Sequence, residues 1–230
     1  MKPISSDSLP THIGVILDGN RRWARARGLP TFNGHKKGYE VLLKMAYMAR
    51  KRGIKFASAF IFSTENWSRS DEEVDYLMKL LFWAFGHDMK KLVRDNFRIV
   101  FMGRSDKVSP KILAQINELE KTSEGNTGTT LVLCFNYGGH AEIVDAAAKL
   151  AQSGESFTEE NFAKNLYHPE VPPCDLIVRT SGEKRLSGFQ LWRAAYAEFI
   201  FLDKNWPDFG EQDFEDVLTE FALRSRRFGK

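Results

Sequence analysis

The stretch that decides the fold is Ile13-Gly14-Val15-Ile16-Leu17-Asp18-Gly19-Asn20-Arg21-Arg22-Trp23-Ala24. An apolar run ends at a single aspartate, and a glycine turn and two arginines follow it. This pattern predicts a buried strand whose carboxyl end presents one carboxylate, free backbone N–H groups and guanidinium groups. Such an arrangement can hold a divalent cation and a phosphorylated ligand at the edge of a sheet.

Two later apolar runs end in the same way. Phe60-Ile61-Phe62 leads into Ser63-Thr64-Glu65-Asn66-Trp67-Ser68-Arg69, and Leu176-Ile177-Val178 leads into Arg179-Thr180-Ser181-Gly182-Glu183-Lys184-Arg185. In a parallel sheet, groups that follow the strands meet at one edge. The three segments therefore predict an active site at the carboxyl edge of the sheet.

The alternation of apolar patterns predicts an α/β fold. Strand-like runs lie at 12–18, 55–63, 97–103, 129–136, 175–179 and 197–202, and helical patterns lie at 34–52, 71–95, 109–123, 140–152, 158–166 and 210–227. This order predicts a central, mainly parallel six-stranded sheet flanked by helices on both faces. Because no repeat or long linker divides the chain, we expect residues 1–230 to form one domain.

The segment 71–95 is apolar on more than one face. Its start, Ser70 with Glu73, matches a capping box. A helix that is apolar nearly all round is usually buried. The alternative interpretation is that one face packs on the sheet and another lines a hydrophobic tunnel beside the predicted site.

Composition narrows the class of protein. The 230 residues are 43% hydrophobic and carry a net charge of +3, which suits one sizeable core. The longest apolar run, Leu80 to Phe85, is too short to span a bilayer. The first residues lack a signal-peptide pattern, so we expect a cytoplasmic protein.

The positive charge is concentrated in the first third of the chain. Residues 1–69 carry 13 Lys and Arg against 4 Asp and Glu. This basic segment fits an anionic partner such as a diphosphate, a nucleic acid or a lipid headgroup.

Several residues allow two interpretations each. Asp18 can ligate Mg²⁺ or cap a helix. Glu198 interrupts an apolar run, so it can complete a cation site with Asp18 or pair with an arginine. His35, near a helix start, can contact a phosphate or lie at the surface. Trp67 can stack on a ligand or attach its loop to the core. Of the two cysteines, Cys134 lies in an apolar run and is expected in the core.

The cationic residues after the fifth strand, Arg179, Lys184 and Arg185 with Ser187, form a second cluster in the sequence. Two clusters can hold two phosphorylated substrates, or they can form one salt-bridged network. The sequence contains no P-loop, no Gly-x-Gly-x-x-Gly, no His-Glu-x-x-His and no Gly-x-Ser-x-Gly motif. Nucleotide binding, zinc peptidase and serine hydrolase activities therefore find little support.

Five motifs in order resemble the cis-prenyltransferase family, of the undecaprenyl diphosphate synthase type. They are Asp18-Gly19-Asn20-x-Arg22-Trp23-Ala24, Gly34-His35-x-x-Gly38, Phe62-Ser63-x-Glu65-Asn66-Trp67-x-Arg69, Asn136-Tyr137-Gly138-Gly139 and Arg179-Thr180-x-Gly182-Glu183-x-Arg185-x-Ser187, and Trp206-Pro207-Asp208-Phe209 follows them. The resemblance implies condensation of isopentenyl diphosphate onto an allylic diphosphate such as farnesyl diphosphate. The product would be a cis-polyprenyl diphosphate, a lipid carrier precursor for cell-wall glycan synthesis.

The resemblance also implies roles for individual residues. Asp18 and Asn66 would be catalytic, and Asp18 and Glu198 would hold Mg²⁺. The implied substrate-binding residues are Gly19, Asn20, Arg21, Arg22, Trp23, His35, Ser63, Thr64, Glu65, Trp67, Arg69, Arg179, Arg185, Leu186 and Ser187. It implies a homodimer in which Arg227-Phe228-Gly229 reaches the partner's site, no nucleic acid partner, and room for peripheral membrane contact.

Three positions depart from the family pattern. Lys184 stands where histidine is frequent, and Thr31 replaces a basic residue of some relatives. Ile61 stands where long-chain enzymes have smaller residues, so a bulkier floor would shorten the tunnel. The alternatives are a short-chain cis-prenyl diphosphate synthase, a non-catalytic subunit of a heteromeric prenyltransferase, and an anion-binding module for RNA or lipid.

Overall fold

One parallel sheet forms the centre of the computed structural model, which describes residues 8–224. Its strands are β1 (His12–Ile16), β2 (Phe56–Ser63), β3 (Arg98–Met102), β4 (Thr130–Tyr137), β5 (Leu176–Arg179) and β6 (Glu198–Phe201). Their order is β3-β4-β2-β1-β5-β6, and every neighbouring pair is parallel. The predicted six-stranded sheet is confirmed. Because β2 and β5 lie on opposite sides of β1, the crevice for a ligand is expected at the carboxyl end of β1.

The helices cover the sheet. They are α1 (Asn20–Arg25), α2 (Thr31–Lys51), α3 (Asp71–Gly86), α4 (Asp88–Arg94), α5 (Pro110–Ser123), α6 (Gly139–Ser153), α7 (Glu159–Lys164) and α8 (Glu211–Leu223), with 3₁₀ turns at Thr64–Ser68 and Trp206–Asp208. The single helix predicted over 71–95 is wrong, because the backbone leaves the helical region at His87. Helix α1 was not predicted, and residues 225–227 of the predicted last helix lie outside the described residues. Between residues 8 and 224, no helix is both long and apolar enough to cross a membrane.

The interior follows the pattern of a doubly covered parallel sheet. All eight residues of β4 are buried, as expected for a strand packed on both faces. Cys134 on this strand is buried and unbridged, which confirms it as a core residue.

A buried ion pair fixes α6 to the chain on either side of β5. The side chains of Arg193 and Glu142 are 3% and 1% exposed, and Arg193 Nη1 lies 2.6 Å from Glu142 Oε1. The Tyr137 hydroxyl donates to the same carboxylate at 2.5 Å. Arg193 also donates to the backbone carbonyls of Val171 and Tyr167. Each charge is therefore hydrogen-bonded, as a buried pair must be if it is not to destabilise the fold.

A buried hydrogen-bond chain connects β1 and β2 to the segment after β5. His12 Nδ1 donates to the Pro172 carbonyl at 2.9 Å, which can only accept. Its Nε2 therefore accepts from the Ser58 hydroxyl at 2.6 Å, and the Ser58 oxygen accepts from the Gln190 amide at 2.8 Å. Burial lowers the pKa of His12 to about 4, so the imidazole stays neutral near pH 7. This series of hydrogen bonds holds the turn before Gln190 against the sheet.

Candidate active site

The carboxyl ends of β1, β2 and β5 surround a polar cleft of about 580 Å³. The cleft brings together seven of the residues predicted to form the site. Its lining consists of Ile16, Leu17, Asp18, Phe60, Ser63, Glu65, Asn66, Arg69, His140, Arg179, Ser187 and Gly188. The convergence predicted from three strand ends is therefore confirmed.

Asp18 follows β1 and places one carboxylate in the cleft. Its Oδ2 accepts from Arg179 Nη2 at 2.9 Å, and its Oδ1 lies 3.1 Å from Arg22 Nη2 and accepts from the Gly19 N–H at 2.7 Å. Burial disfavours ionisation of Asp18, but the hydrogen bond and charge of Arg179, aided by Arg22, outweigh it and lower the pKa of the carboxyl. Since Gly19 stands at the N-cap of α1, the capping interpretation of Asp18 is wrong.

Gly19 provides the turn that places these groups. Its φ is +101°, a region that favours glycine, and a β-carbon there would lie 2.4 Å from Asn205 Oδ1. A side chain at this position would therefore both strain the backbone and displace Asn205.

Arg179 joins the two cationic clusters of the sequence. Besides Asp18, its guanidinium contacts Ser187 Oγ at 2.8 Å and the Arg185 carbonyl. Glu183 lies between the clusters, because it pairs with both Arg22 and Arg185. The two clusters form one network around the cleft, and the Arg185 side chain lies exposed at its mouth.

Glu73 organises a second part of the site, which the sequence analysis missed. Its carboxylate is buried and contacts Arg69 Nη1 at 2.9 Å, His35 Nε2 at 3.2 Å and Arg21 Nη1 at 3.4 Å. The predicted capping box is wrong, because the Ser70 side chain makes no cap hydrogen bond. Burial lowers the pKa of His35, although Glu73 opposes the shift. The available clue was the short separation of Arg69 and Glu73, which are four positions apart, with Arg69 in extended conformation just before the N-cap of α3.

Two tryptophans that were predicted to bind the substrate make contacts within the protein. Trp67 Nε1 donates to Asn136 Oδ1 at 2.7 Å, and its ring packs edge-on against Phe62. Trp23 Nε1 donates to Asp208 Oδ1 at 2.7 Å. Trp67 therefore attaches its loop to the core, the second of its two interpretations. Eleven residues of the predicted set are absent from the lining of the cleft: Gly19, Asn20, Arg21, Arg22, Trp23, His35, Thr64, Trp67, Arg185, Leu186 and Glu198.

The predicted pairing of Glu198 with Asp18 is not formed within one chain. Glu198 begins β6 and is in register with Leu176 on β5, which is in register with Ile13 on β1. Asp18 follows the other end of β1, so the two carboxylates lie at opposite edges of the sheet. Glu198 instead accepts from Arg224 Nη1 at 2.9 Å, which was the alternative interpretation.

An apolar cavity lies between the sheet and the helices, where the tunnel was predicted. It is narrow, about 60 Å³, and its lining is Leu17, Asn20, His35, Gly38, Tyr39, Leu42, Ile61, Leu77, Leu80, Leu81, Phe85, Met89 and Leu133. The buried side chains of α3 in this list form one wall, and β2 and β4 form the floor. Leu17 lines both this cavity and the polar cleft, so the two spaces adjoin directly after β1.

Comparison with known proteins agrees with this geometry. Residues 16–229 match the prenyltransferase family model described as putative undecaprenyl diphosphate synthase. The chain belongs to this family. The prenyltransferase is 44% identical to the isoprenyl transferase of Thermotoga maritima, over 96% of this chain and 97% of that one. It is 42% identical to a trans,polycis-polyprenyl diphosphate synthase of Thermobifida fusca, described as (2Z,6E)-farnesyl diphosphate specific, over 96% and 81%.

A solved structure of the same fold is lavandulyl diphosphate synthase from Lavandula x intermedia, in complex with dimethylallyl diphosphate. It superposes on the prenyltransferase with a TM-score of 0.94 at 32% identity, and the match covers 97% of this chain and all of that one. The likeness extends over the sheet, the cleft and the cavity wall.

Five residues that line the cleft of the prenyltransferase were not predicted as site residues: Ile16, Leu17, Phe60, His140 and Gly188. His140 lies just after β4, in the first turn of α6. The motif Asn136-Tyr137-Gly138-Gly139 ends a strand as the other site motifs do, so it could have placed His140 at the same edge.

Proposed function

We propose that the chain is a cis-prenyltransferase that condenses isopentenyl diphosphate onto an allylic diphosphate such as farnesyl diphosphate. Its product is a cis-polyprenyl diphosphate, the precursor of a lipid carrier for cell-wall glycan synthesis. The observation that carries this proposal is the position of Leu17, which lines both a cationic cleft and an apolar cavity. Two such adjoining spaces suit a substrate with a diphosphate head and an isoprenoid tail.

The cations divide into two substrate subsites in this proposal. Arg21, His35 and Arg69, gathered around Glu73, contact the allylic diphosphate with Arg22, Gly19 and Asn20. Arg179, Arg185 and Ser187 hold isopentenyl diphosphate. Guanidinium groups suit this task because they donate two parallel hydrogen bonds to a phosphate. Without substrate, the carboxylates of Glu73 and Glu183 hold these cationic side chains close together. A bound diphosphate then replaces the carboxylates as a partner of the positive charges.

The residues at the cleft fit Mg²⁺. This ion usually binds one or two carboxylates and completes its shell with water and substrate phosphates. Asp18 supplies one carboxylate beside the cations, and residues 8–224 contain no cluster of three His, Cys, Asp or Glu that would form an all-protein site. When bound at Asp18, Mg²⁺ would neutralise charge on the leaving diphosphate.

The residues of the chain have two tasks in the reaction. Arg21 and Arg22 stabilise the charge that develops on the leaving diphosphate as the allylic C–O bond breaks. The terminal carbon of the isopentenyl double bond forms the new C–C bond, which leaves positive charge on the other carbon of that double bond. A proton then leaves the methylene group next to the positive carbon, and its electron pair forms the new double bond. Asn66, whose Oδ1 is held by the Ser63 N–H at 3.1 Å, assists this proton removal with Asp18.

We further propose a homodimer in which residues 227–229 of one protomer reach the partner's cleft; these residues lie outside those described. Exposed apolar side chains at Val144, Tyr196 and Leu223 support an interface, because such surface is normally covered. We place the enzyme in the cytoplasm, in peripheral contact with a membrane, since its substrates are charged and its product carries a long apolar tail. The proposed unit is a single catalytic domain.

Substrate kinetics test the two subsites. Arg185→Ala is expected to raise the KM for isopentenyl diphosphate about ten-fold, because a charge-assisted hydrogen bond is lost, with little change in the KM for farnesyl diphosphate. His35→Ala is expected to have the opposite selectivity. Arg94→Ala, on an exposed arginine of α4, is the matched control. Equal effects of both site variants on both substrates would contradict the assignment.

A short-chain cis-prenyl diphosphate synthase is the second candidate. The narrow cavity, about 60 Å³ with Ile61 in its wall, favours it. Both candidates share the same chemistry and differ only in how long a tail the cavity accepts.

Replacing Ile61 by alanine is expected to lengthen the products. The change removes three carbons from the cavity wall at β2, so the tail can extend before it meets the floor. Product length, measured by thin-layer chromatography after dephosphorylation, should shift upward by at least one isoprene unit. Phe157→Ala, at an exposed apolar position that lines neither the cleft nor the cavity, is the control. An unchanged product distribution would show that Ile61 does not limit the tail.

A further inference from the structure

Two consecutive aromatic side chains are exposed on α3. Phe82 is 42% exposed and Trp83 is 52% exposed. These two residues explain why the sequence of α3 is apolar on more than one face. One face of the helix is buried, and Phe82 and Trp83 lie on its exposed side. Adjacent large apolar side chains on a surface typically mark a contact with another molecule or a membrane.

The exposed pair lies directly outside the apolar cavity. Leu77, Leu81 and Phe85 of the same helix line that cavity, and a helix is only about 10 Å thick with its side chains. Trp83 also packs edge-on against Tyr39, with ring centroids 6.2 Å apart, and Tyr39 lines the cavity. The Tyr39–Trp83 contact therefore connects the cavity wall to the surface.

The charges around the pair are mainly cationic. Lys36, one turn before Tyr39 on α2, and Lys91 on α4 are exposed, and neither makes an ion pair within residues 8–224. The carboxylates of Asp75 and Glu118 are each paired with a lysine. Asp88 also lies here, because it accepts from the Tyr39 hydroxyl at 3.0 Å and contacts His87. Lys36, one turn before Tyr39, and Lys91, one turn after Asp88, therefore outnumber this carboxylate, and the excess positive charge complements an anionic surface.

We propose that Phe82 and Trp83, with Lys36 and Lys91 beside them, form the surface on which the protein docks to an anionic lipid bilayer. Tryptophan and phenylalanine suit the membrane interface, because an aromatic ring can enter the headgroup layer while cations contact lipid phosphates. Docking here places the cavity wall at the bilayer, so that a growing prenyl tail passes into lipid without crossing water. The proposal rests on the proposed function, because only a lipid product needs this route.

Vesicle binding without substrate tests the docking surface, so a failure of prenyl transfer would not affect the result. The full chain is sedimented with vesicles of phosphatidylcholine and phosphatidylglycerol in equal amounts, and with vesicles of phosphatidylcholine alone. We expect binding to the anionic vesicles that weakens as salt increases. The double variant Phe82→Ser/Trp83→Ser should bind about ten-fold more weakly. Phe157→Ser, which removes an exposed aromatic ring elsewhere, should bind like the wild type.

Two further measurements separate docking from misfolding and self-association. The double variant should keep the melting temperature of the wild type and its rate of transfer in detergent, because neither side chain lines the cleft or the cavity. Equal vesicle binding by the wild type and the double variant would overturn the proposal, as would no binding by the wild type. A lower molecular mass of the double variant in light scattering would assign the surface to a second copy of the chain instead.

Discussion

Replacing Asp18 by alanine is expected to lower the rate of prenyl transfer about a thousand-fold. Asp18 supplies the carboxylate for Mg²⁺ in the proposed mechanism and also fixes Arg179 and Arg22 at the cleft. Its loss would remove the cation, and it would free Arg22 from its position at the leaving diphosphate and Arg179 from its position at isopentenyl diphosphate. The measurement is the initial rate of incorporation of labelled isopentenyl diphosphate at saturating Mg²⁺.

In the same assay, Asp18→Asn distinguishes the effect of losing the negative charge from the effect of losing the side chain. Asparagine keeps the size of the side chain and an oxygen for the Gly19 N–H, but it binds Mg²⁺ poorly. We expect it to be nearly as inactive as the alanine variant, with a melting temperature close to that of the wild type. The arginines hold the pKa of Asp18 below its ordinary value, so lowering the pH from 8 to about 6 should not protonate it. An Asp18→Asn variant with wild-type rate would contradict the role of the carboxylate.

Replacing Arg193 by methionine is expected to lower the free energy of unfolding by about 3–5 kcal/mol. The Glu142 carboxylate, 1% exposed, would then be buried without its counter-ion. The cost is large because water cannot replace Arg193 at this depth, although Tyr137 still donates to the carboxylate. Unfolding in urea, followed by circular dichroism, measures the change.

The double variant Arg193→Met/Glu142→Leu is the control for this prediction. It removes both charges, so most of the lost stability should return. Arg98→Met, which breaks a partly exposed pair with Glu170, should cost less than about 1 kcal/mol. If the double variant were as unstable as the single one, the lost stability would come from packing rather than from the unpaired charge.

The sheet and the position of the site could be predicted because both depend on local patterns. Apolar runs gave the six strands, and polar residues after β1, β2 and β5 gave the cleft. The boundaries were less accurate: β1 was expected to reach Asp18, but ladder pairing ends at Ile16. Helix α1 was missed because it has only six residues, too few for a periodic pattern and too few to be stable alone. It depends on long-range contacts such as that of Trp23 with Asp208.

The contacts of two carboxylates could not be predicted because their partners are distant in the sequence. Glu73 fitted a local capping motif, yet its side chain turns to Arg21 and His35, which lie 52 and 38 positions earlier. Glu198 fitted a metal site by family resemblance. The predicted strand 197–202 already placed it near the amino end, whereas Asp18 lies at the carboxyl edge of the parallel sheet. Strand direction alone therefore places the two residues at opposite edges of the sheet within one chain.

The most direct test of prenyl transfer is incorporation of labelled isopentenyl diphosphate by the purified chain, with farnesyl diphosphate as primer and with or without Mg²⁺. We expect cis-polyprenyl diphosphates that require Mg²⁺ and disappear in Asp18→Ala. No incorporation with farnesyl, geranyl or dimethylallyl diphosphate in the presence of Mg²⁺ would contradict this expectation.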